Sequence, residues 1–365
     1  MRPTSLCLCM LLLLGACRSH NTLSPVFAEI SPQQAGYDAK KLDLLRHHLE
    51  ATGAESMLLL HQGKVFFSFG DVNQPRLVHS IRKSLLNSLI GIGVADGCIR
   101  LDATLAELAI NEKVDALTNN EQQATVRDLL QSRSGVYHQA AAENEAMTQH
   151  RPARGSHAPN THYYYNNWDF NAIGAIYEQQ CGQSVFEAFE QKIARPLGMS
   201  FRANPQRVIL ETPDAPLPAG SSFYQLEPSR SQYPAYHFRL SATDLALYGQ
   251  LYLQRGYWQG TQLLPEQWID DSTQPYSVTQ PEYGLAYGML WAVVLSAPDN
   301  ISKDKSAKHA FYHTGNGVHM LGIYPQQQMV FVLRVNTETD YSFHEGHLYQ
   351  AIRLAHGARL SADKE

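Results

Sequence analysis

The sequence has no basic block. Its 29 lysines and arginines are scattered along 365 residues and outnumbered by 34 aspartates and glutamates, giving a net charge of −5 at pH 7. Nucleic-acid binding needs a cationic footprint, and docking on anionic lipid needs a basic cluster, so neither is expected. Glycine and proline, 24 and 18 residues, stand at average usage, which excludes collagenous and low-complexity disordered chains. No apolar run reaches the roughly 18 residues of a membrane-spanning helix. Cysteine is scarce, five residues in all. What is present is enough chain for one large domain or two interleaved ones, with a sizeable core.

Three of the cysteines, Cys7, Cys9 and Cys17, crowd the N-terminus. There Arg2 precedes an apolar run from Leu6 to Leu14, followed by Gly15-Ala16-Cys17. A positive start, a short apolar core and small residues at a cleavage point read as a secretory signal over residues 1–16. Leu14-Gly15-Ala16-Cys17 resembles the lipobox of bacterial lipoproteins. That resemblance implies lipidation of Cys17, a lipid anchor and a periplasmic location. Arg18 in the second mature position resembles outer-membrane sorting. Because the lipid would carry the anchoring, the remainder is free to be a soluble domain. Residues 17–35 read as a tether. Cys98 and Cys181 can pair in an oxidising compartment or stay as buried thiols. The sequence does not decide between these, and the unpaired reading is preferred. Neither stands in a nucleophile context.

Hydrophobic spacing organises the rest. Leu42, Leu45 and Leu49 predict a helix within 36–52. Residues 57–61 and 65–69 predict two strands around the Gln62-Gly63-Lys64 turn. A long helix follows Ser80, with Ile81, Leu85, Leu86, Leu89, Ile90 and Val94 on one broad face and Gly97 as its stop. Thr125-Val126-Arg127-Asp128 is a capping-box signature. Further helices are predicted at 170–181, 184–194, from Ser241 to Gly256, and at 344–357. Strand-like runs occupy 310–314, 318–324 and 329–335. Strands at both ends and helices between imply an α+β fold. Its antiparallel sheet is built from residues 36–79 and 280–357, with a mostly helical region inserted and a tail at 358–365. Residues 139–160 and 203–235 have weak periodicity and read as loops around a site.

Three motifs carry candidate chemistry. Ser80-Ile81-Arg82-Lys83 is an S-x-x-K tetrad at the start of an apolar helix. At i and i+3, Ser80 and Lys83 share one face. Burial of Lys83 would lower its pKa and permit base chemistry, although Ser is also the commonest N-cap. Two further tetrads, Ser302–Lys305 and Ser361–Lys364, lack that helical context. Next, Tyr163-Tyr164-Tyr165-Asn166-Asn167 offers a Y-x-N in two registers. A tyrosine near a lysine can share its proton, and an asparagine amide both donates and accepts. Last, His313-Thr314-Gly315 precedes Asn316 on a predicted strand, where glycine would let a substrate backbone approach the edge.

In this order the three motifs resemble the serine β-lactamase and penicillin-binding-protein superfamily, in its class C-like branch. That branch includes class C β-lactamases, D-alanyl-D-alanine carboxypeptidases, certain carboxylesterases and 6-aminohexanoate-dimer hydrolase. Thr125–Leu130 leading to Ser134-Gly135, Pro196-Leu197-Gly198-Met199 and Ser241–Ala246 also look familial, and the resemblance spans about residues 36–357. It implies an antiparallel sheet flanked by helices, a mostly helical subdomain, and a cleft between them. It implies Ser80 as nucleophile, Lys83 as its activating neighbour, and Tyr165 with Asn167 as base and proton shuttle. Phe170 and Ile173-Gly174 favour that register over Tyr164 with Asn166. The backbone N–H groups of Ser80 and Asn316 would form the oxyanion hole, beside His313, Thr314 and Gly315. The reaction implied is two-step acyl transfer on a small-molecule or peptide substrate, with no cofactor or metal; His344-Glu345-Gly346-His347 has the wrong spacing for a zinc motif. One position departs from many β-lactamases, which have lysine where this chain has His313. A histidine is a weaker anchor for a substrate carboxylate. The expectation is therefore an envelope serine hydrolase of esters, amides or peptides. The alternatives are a true β-lactamase or D-alanyl-D-alanine carboxypeptidase, and a non-catalytic binding protein of the same fold.

Overall fold

Leu42, Leu45 and Leu49 form the buried face of the first helix, α1 (Ala39–Thr52). Asp38 caps it, accepting hydrogen bonds from the Lys40 and Lys41 amides, and Gly53 ends it at φ +76°. Strands β1 (Ser56–His61) and β2 (Lys64–Gly70) follow. Gln62 and Gly63, at φ +49° and +74°, make the two-residue turn between them. The computed structural model describes residues 26–212, 215–295 and 309–360. The expected signal segment, Cys17, the start of the tether and the two other S-x-x-K tetrads lie outside the described residues.

The chain then makes β3 (Arg76–Leu77) and α2 (Arg82–Ala95). The helical region holds α3 (Val126–Leu130), α4 (Glu145–His150), α5 (Asn167–Cys181), α6 (Val185–Phe189) and α7 (Arg195–Leu197). Strands β4 (Pro205–Ile209), β5 (Ser222–Leu226) and β6 (Ala235–Leu240) precede α8 (Ala242–Leu253). A short hairpin of β7 (Tyr257–Trp258) and β8 (Thr261–Gln262) leads to α9 (Glu266–Ser272). Six strands come next: β9 (Ser277–Gln280), β10 (Leu285–Tyr287), β11 (Ala292–Val294), β12 (Ala310–Gly315), β13 (His319–Tyr324) and β14 (Met329–Arg334). The described chain closes on α10 (Glu345–Gly357). The capping boxes expected at Thr125 and Ser241 are both formed.

The main sheet has eight strands in the order β2-β1-β14-β13-β12-β11-β10-β9. Every pairing in it is antiparallel. Strands from the two ends of the chain meet where β1 pairs with β14. All six residues of β14 are buried, as a strand covered on both faces requires. Met329, Phe331 and Leu333 pack with Leu45, Leu49 and Leu348 under α1 and α10. Val330 and Val332 face the larger core with Leu85, Leu86 and Tyr248 of α2 and α8.

Four expectations need correction. The tether ends earlier than residue 35: Phe27 is buried, and residues 28–30 pair with β2 through Val65 N to Ala28 O and Ile30 N to Val65 O, both 2.9 Å. Residues 203–235 are not loops around the site but supply β4 and β5 to a second sheet, β3-β6-β5-β4. The inserted region is therefore not purely helical. Residues 139–160 contain α4. Cys98 and Cys181 are not free thiols but form a disulfide across 83 residues, with Cα atoms 5.3 Å apart. Both sulfurs pack on Gly93, where a Cβ would lie 3.3 Å from each.

Candidate active site

Backbone bonds fix the approach to Ser80. Arg334, buried in β14, donates to the carbonyls of Arg76 (2.7 Å) and Leu77 (2.9 Å). Glu338 accepts from the Leu77 amide (3.0 Å), and the Val78 amide donates to Phe238 O (3.0 Å). The chain then turns through His79 at φ +47° into a single 3-10 turn and α2. A non-glycine residue in that region is held at a cost of order 1 kcal/mol. The His79 ring is fixed by Thr337 Oγ1 (2.8 Å) and by stacking on His319 (centroids 5.4 Å apart). Burial, then Arg334, Arg82 and Lys83, push its pKa down to about 4.

Ser80 is half-buried and Lys83 is fully buried. Lys83 Nζ hydrogen-bonds Ser80 Oγ at 2.8 Å. It also lies 4.5 Å from the centroid of the Tyr165 ring and 4.8 Å from that of Phe170. Among the described residues no carboxylate pairs with it. Burial, and secondarily the charge of Arg82, hold its pKa well below the ordinary lysine range. The burial expected of Lys83 is complete.

The two Y-x-N registers separate cleanly in space. Asn166 caps α5, accepting from the Trp168 amide (3.1 Å), and its Nδ2 donates to Val136 O (2.7 Å) and Asp169 (3.0 Å). The Tyr164 hydroxyl donates to Met147 O at 2.6 Å, away from Lys83. Tyr165 is the ring beside Lys83. Burial pushes its phenol up to about 12, against the opposing pull of Ser80 and Arg82. Asn167 donates through Nδ2 to Ala142 O (2.6 Å), and its buried Oδ1 has no hydrogen-bond partner.

On β12, His313 Nδ1 donates to Thr314 O (2.8 Å), which leaves Nε2 as a buried acceptor without a partner. Its ring centroid is 6.4 Å from that of Tyr165. Burial, then the charge of Lys83, push its pKa down to about 3. His313 is therefore neutral in the working pH range, not partly charged as its type suggested. At Gly315 a Cβ would stand 2.3 Å from Val78 O, so glycine here admits the protein's own backbone beside the nucleophile.

A cavity of about 530 Å³ joins Ser80 and Tyr165 to Thr314, Asn316 and the α4 residues Met147 and His150. A second, of about 540 Å³, runs from His313 and Tyr165 past Tyr163, Tyr287 and Tyr312. His150, Tyr165 and Thr314 line both. Among the described residues neither is lined by a lysine, arginine, aspartate or glutamate. Ser80, Lys83, Tyr165, His313, Thr314 and Asn316 thus converge, and Asn167 stands behind Tyr165 at the first position of α5. Sequence reading missed His79, Arg82 and the α4 wall. Only the weak periodicity of 139–160 hinted at the last. Among the described residues no group of three or more His, Cys, Asp or Glu is arranged to hold a metal, and no helix is long and apolar enough to cross a membrane.

A family model described as beta-lactamase matches residues 56–355. The chain belongs to the beta-lactamase family. Its solved structural neighbours are serine β-lactamase-like and penicillin-binding-protein-like hydrolases. The octameric penicillin-binding protein homologue of Pyrococcus abyssi shares 17% identity at a TM-score of 0.60, covering 89% of this chain and 78% of that one. A penicillin-binding protein homologue of Caulobacter crescentus shares 14% at 0.58, covering 88% and 99%. EstCE1, a hydrolase with promiscuous acyltransferase activity, shares 16% at 0.60, covering 89% and 99%. At these identities the likenesses show the fold: β-lactamase/transpeptidase-like, an antiparallel sheet with several helices. No curated protein matches the chain. In this beta-lactamase-family chain the expected antiparallel sheet, flanking helices and intervening cleft are all present.

Proposed function

We propose that this chain is a serine hydrolase that transfers acyl groups through Ser80 from uncharged ester or amide carbonyls. The observation that carries the reading is the 2.8 Å contact between Ser80 Oγ and a fully buried Lys83 with no acidic partner among the described residues. An amine so placed can take the hydroxyl proton as the oxygen attacks. The tetrahedral oxyanion would lie between the N–H groups of Ser80 and Asn316, and such preorganised donors supply about 3–4 kcal/mol each. Tyr165, a phenol at neutral pH, is suited to pass its proton to the leaving group and recover one from Lys83. Thr314, which lines both cavities, would hold the substrate amide or carbonyl, and Gly315 keeps β12 close. Water then releases the acyl group by the same steps in reverse.

Charge decides the substrate class. Among the described residues the two cavities are lined by no lysine or arginine, and His313 is neutral. A substrate carboxylate, as in β-lactams and D-alanyl-D-alanine peptides, finds no counter-charge, whereas neutral aromatic or aliphatic esters fit the tyrosine-lined arm. We further propose a cell-envelope location with a lipid anchor on Cys17. The lipobox supports it, and the Cys98–Cys181 disulfide suits an oxidising compartment. The test is turnover of a chromogenic short-chain ester and of a chromogenic cephalosporin by the chain from residue 18 onward, with Ser80→Ala as control. Ester turnover lost in Ser80→Ala, with little cephalosporin turnover, is the expected result. Equal activity of Ser80→Ala removes Ser80 from the mechanism. Efficient cephalosporin turnover favours the β-lactamase reading.

A further inference from the structure

The residue just before Lys83 in the Ser80 tetrad is an arginine with an unusual environment. Arg82 is 2% exposed at the start of α2. Its Nη2 donates to Asn171 Oδ1 at 3.2 Å, and its Nε is buried without a hydrogen-bond partner. Its Cζ lies 5.1 Å from the centroid of the Tyr236 ring. Among the described residues it has no ion pair. A guanidinium does not give up its proton in proteins, so this is a permanent charge held in the core without a counter-ion. Buried charges are ordinarily paired, because the loss of hydration is otherwise uncompensated. A leucine or methionine would fill the same space without that cost. Residues that break such a rule beside a reactive group are candidates for tuning it.

We propose that Arg82 is an electrostatic positioning residue, an unpaired permanent cation whose field keeps the adjacent Lys83 nitrogen free to accept the Ser80 proton. This rests on the acyl-transfer reading above and deepens it. Lys83 and Arg82 are consecutive, both buried, and cannot both be charged cheaply. Lysine can shed its proton and arginine cannot, so the amine is the one that becomes neutral. Among the described residues no other group around Lys83 supplies the same field. Ser80 and Tyr165 are neutral donors, and Phe170 is a bare ring. Tyr236 and His237 on β6, His79 before α2 and His313 on β12 are all held neutral by burial near pH 7. Asp169 on α5 is fully buried, bonded to Ser134 and Asn166, and pushed well above the carboxylate range. Arg82 is the one permanent charge in this set. A positive charge in this place favours the neutral amine at Lys83 and opposes the upward push of burial on the Tyr165 phenol.

The sign of the test follows. Removing or neutralising the Arg82 charge lets Lys83 keep its proton to higher pH. Lysine labelled with 13C at Cε reports each ammonium by its chemical shift, and Lys83 is assigned by its loss in Lys83→Arg. We expect the Lys83 midpoint to rise by one pH unit or more in Arg82→Gln. It should rise likewise in Asn171→Asp, which supplies the missing counter-ion and gives up only the Asn171 donation to Ala141 O (3.1 Å). The rate at which a fluorophosphonate probe labels Ser80 should lose about tenfold on the acid limb in both variants and recover at high pH. A Lys83 midpoint unmoved in both variants overturns the proposal. So does a labelling rate lowered equally at every pH, which is what lost packing alone would give. Where Arg82→Gln does not fold, Asn171→Asp decides by the same criteria. If wild-type Ser80 resists the probe altogether, the acyl-transfer reading fails, while the Lys83 titration still decides the role of Arg82.

Discussion

The disulfide between Cys98 and Cys181 joins the far ends of the two helices whose near ends carry Ser80–Lys83 and Tyr165–Asn167. It closes a loop of 83 residues in sequence separation, long enough for cross-linking to remove much unfolded-state entropy, typically about 2–4 kcal/mol. Cys98→Ser/Cys181→Ser should lower the denaturation free energy by that amount. Thiol reagents should lower the melting temperature of wild type but not of the double variant. A wild-type transition unchanged after verified reduction would remove the disulfide from the stability account.

The tyrosine registers make opposite predictions. Tyr165→Phe removes a hydroxyl beside Lys83 and should cut acylation by about 10²–10⁴-fold. Tyr164→Phe removes the bond to Met147 O and the contact with Arg151, both away from Lys83. It should cost about 1 kcal/mol of stability and little activity. Steady-state rates together with melting curves separate the two, and a reversal of these roles would reassign the motif to Tyr164 and Asn166.

Lys83 should be a residue that function retains against stability. It is buried, has no acidic partner among the described residues, and sits next to Arg82. Lys83→Met fills similar space without an amine to desolvate. We expect stability raised by about 1–3 kcal/mol and acylation lowered by several orders of magnitude. A destabilised Lys83→Met would mean that the amine contributes more to packing than burial suggests.

Acid should destabilise the fold well above the carboxylate range. His79 and His313 are held at about 4 and about 3 in the folded chain, against about 6.5 in the unfolded one. The unfolded state therefore binds more protons below pH 6.5. The stability this represents is full above that pH and is lost as pH falls toward the folded values. By linkage each ring accounts for about 2 kcal/mol lost at pH 5. Denaturant midpoints measured from pH 7.5 to 4.5 should fall accordingly. The fall should shrink in His313→Asn, and an equally steep fall there would place the proton uptake elsewhere.

Much of this was legible from residue spacing. Leu42, Leu45 and Leu49 announced α1, and the Gln62-Gly63 turn announced the first hairpin. The capping boxes at Thr125 and Ser241 formed as read. The strands β9 to β11 were missed because they run only three or four residues, too short for alternation to show. The second sheet was missed for a related reason: β4 is an exposed edge, and its partner β5 lies across an irregular stretch. The disulfide joins residues whose proximity depends on helix packing, which spacing does not encode. At the site, motif order brought the right segments together. The left-handed turn at His79 and the unpaired state of Arg82 left no mark in the sequence. Both are consequences of tertiary contacts with β13, β14 and α5.

The uncharged walls of the cleft also bear on how a substrate arrives. Long-range attraction between charged partners accelerates encounter and is weakened by added electrolyte. Among the described residues the cavity walls beside the nucleophile carry no lysine, arginine or carboxylate to build such a funnel, so capture depends on diffusion and on shedding water from tyrosine faces. Catalytic efficiency on neutral substrates should stay level from dilute buffer to seawater-like ionic strength.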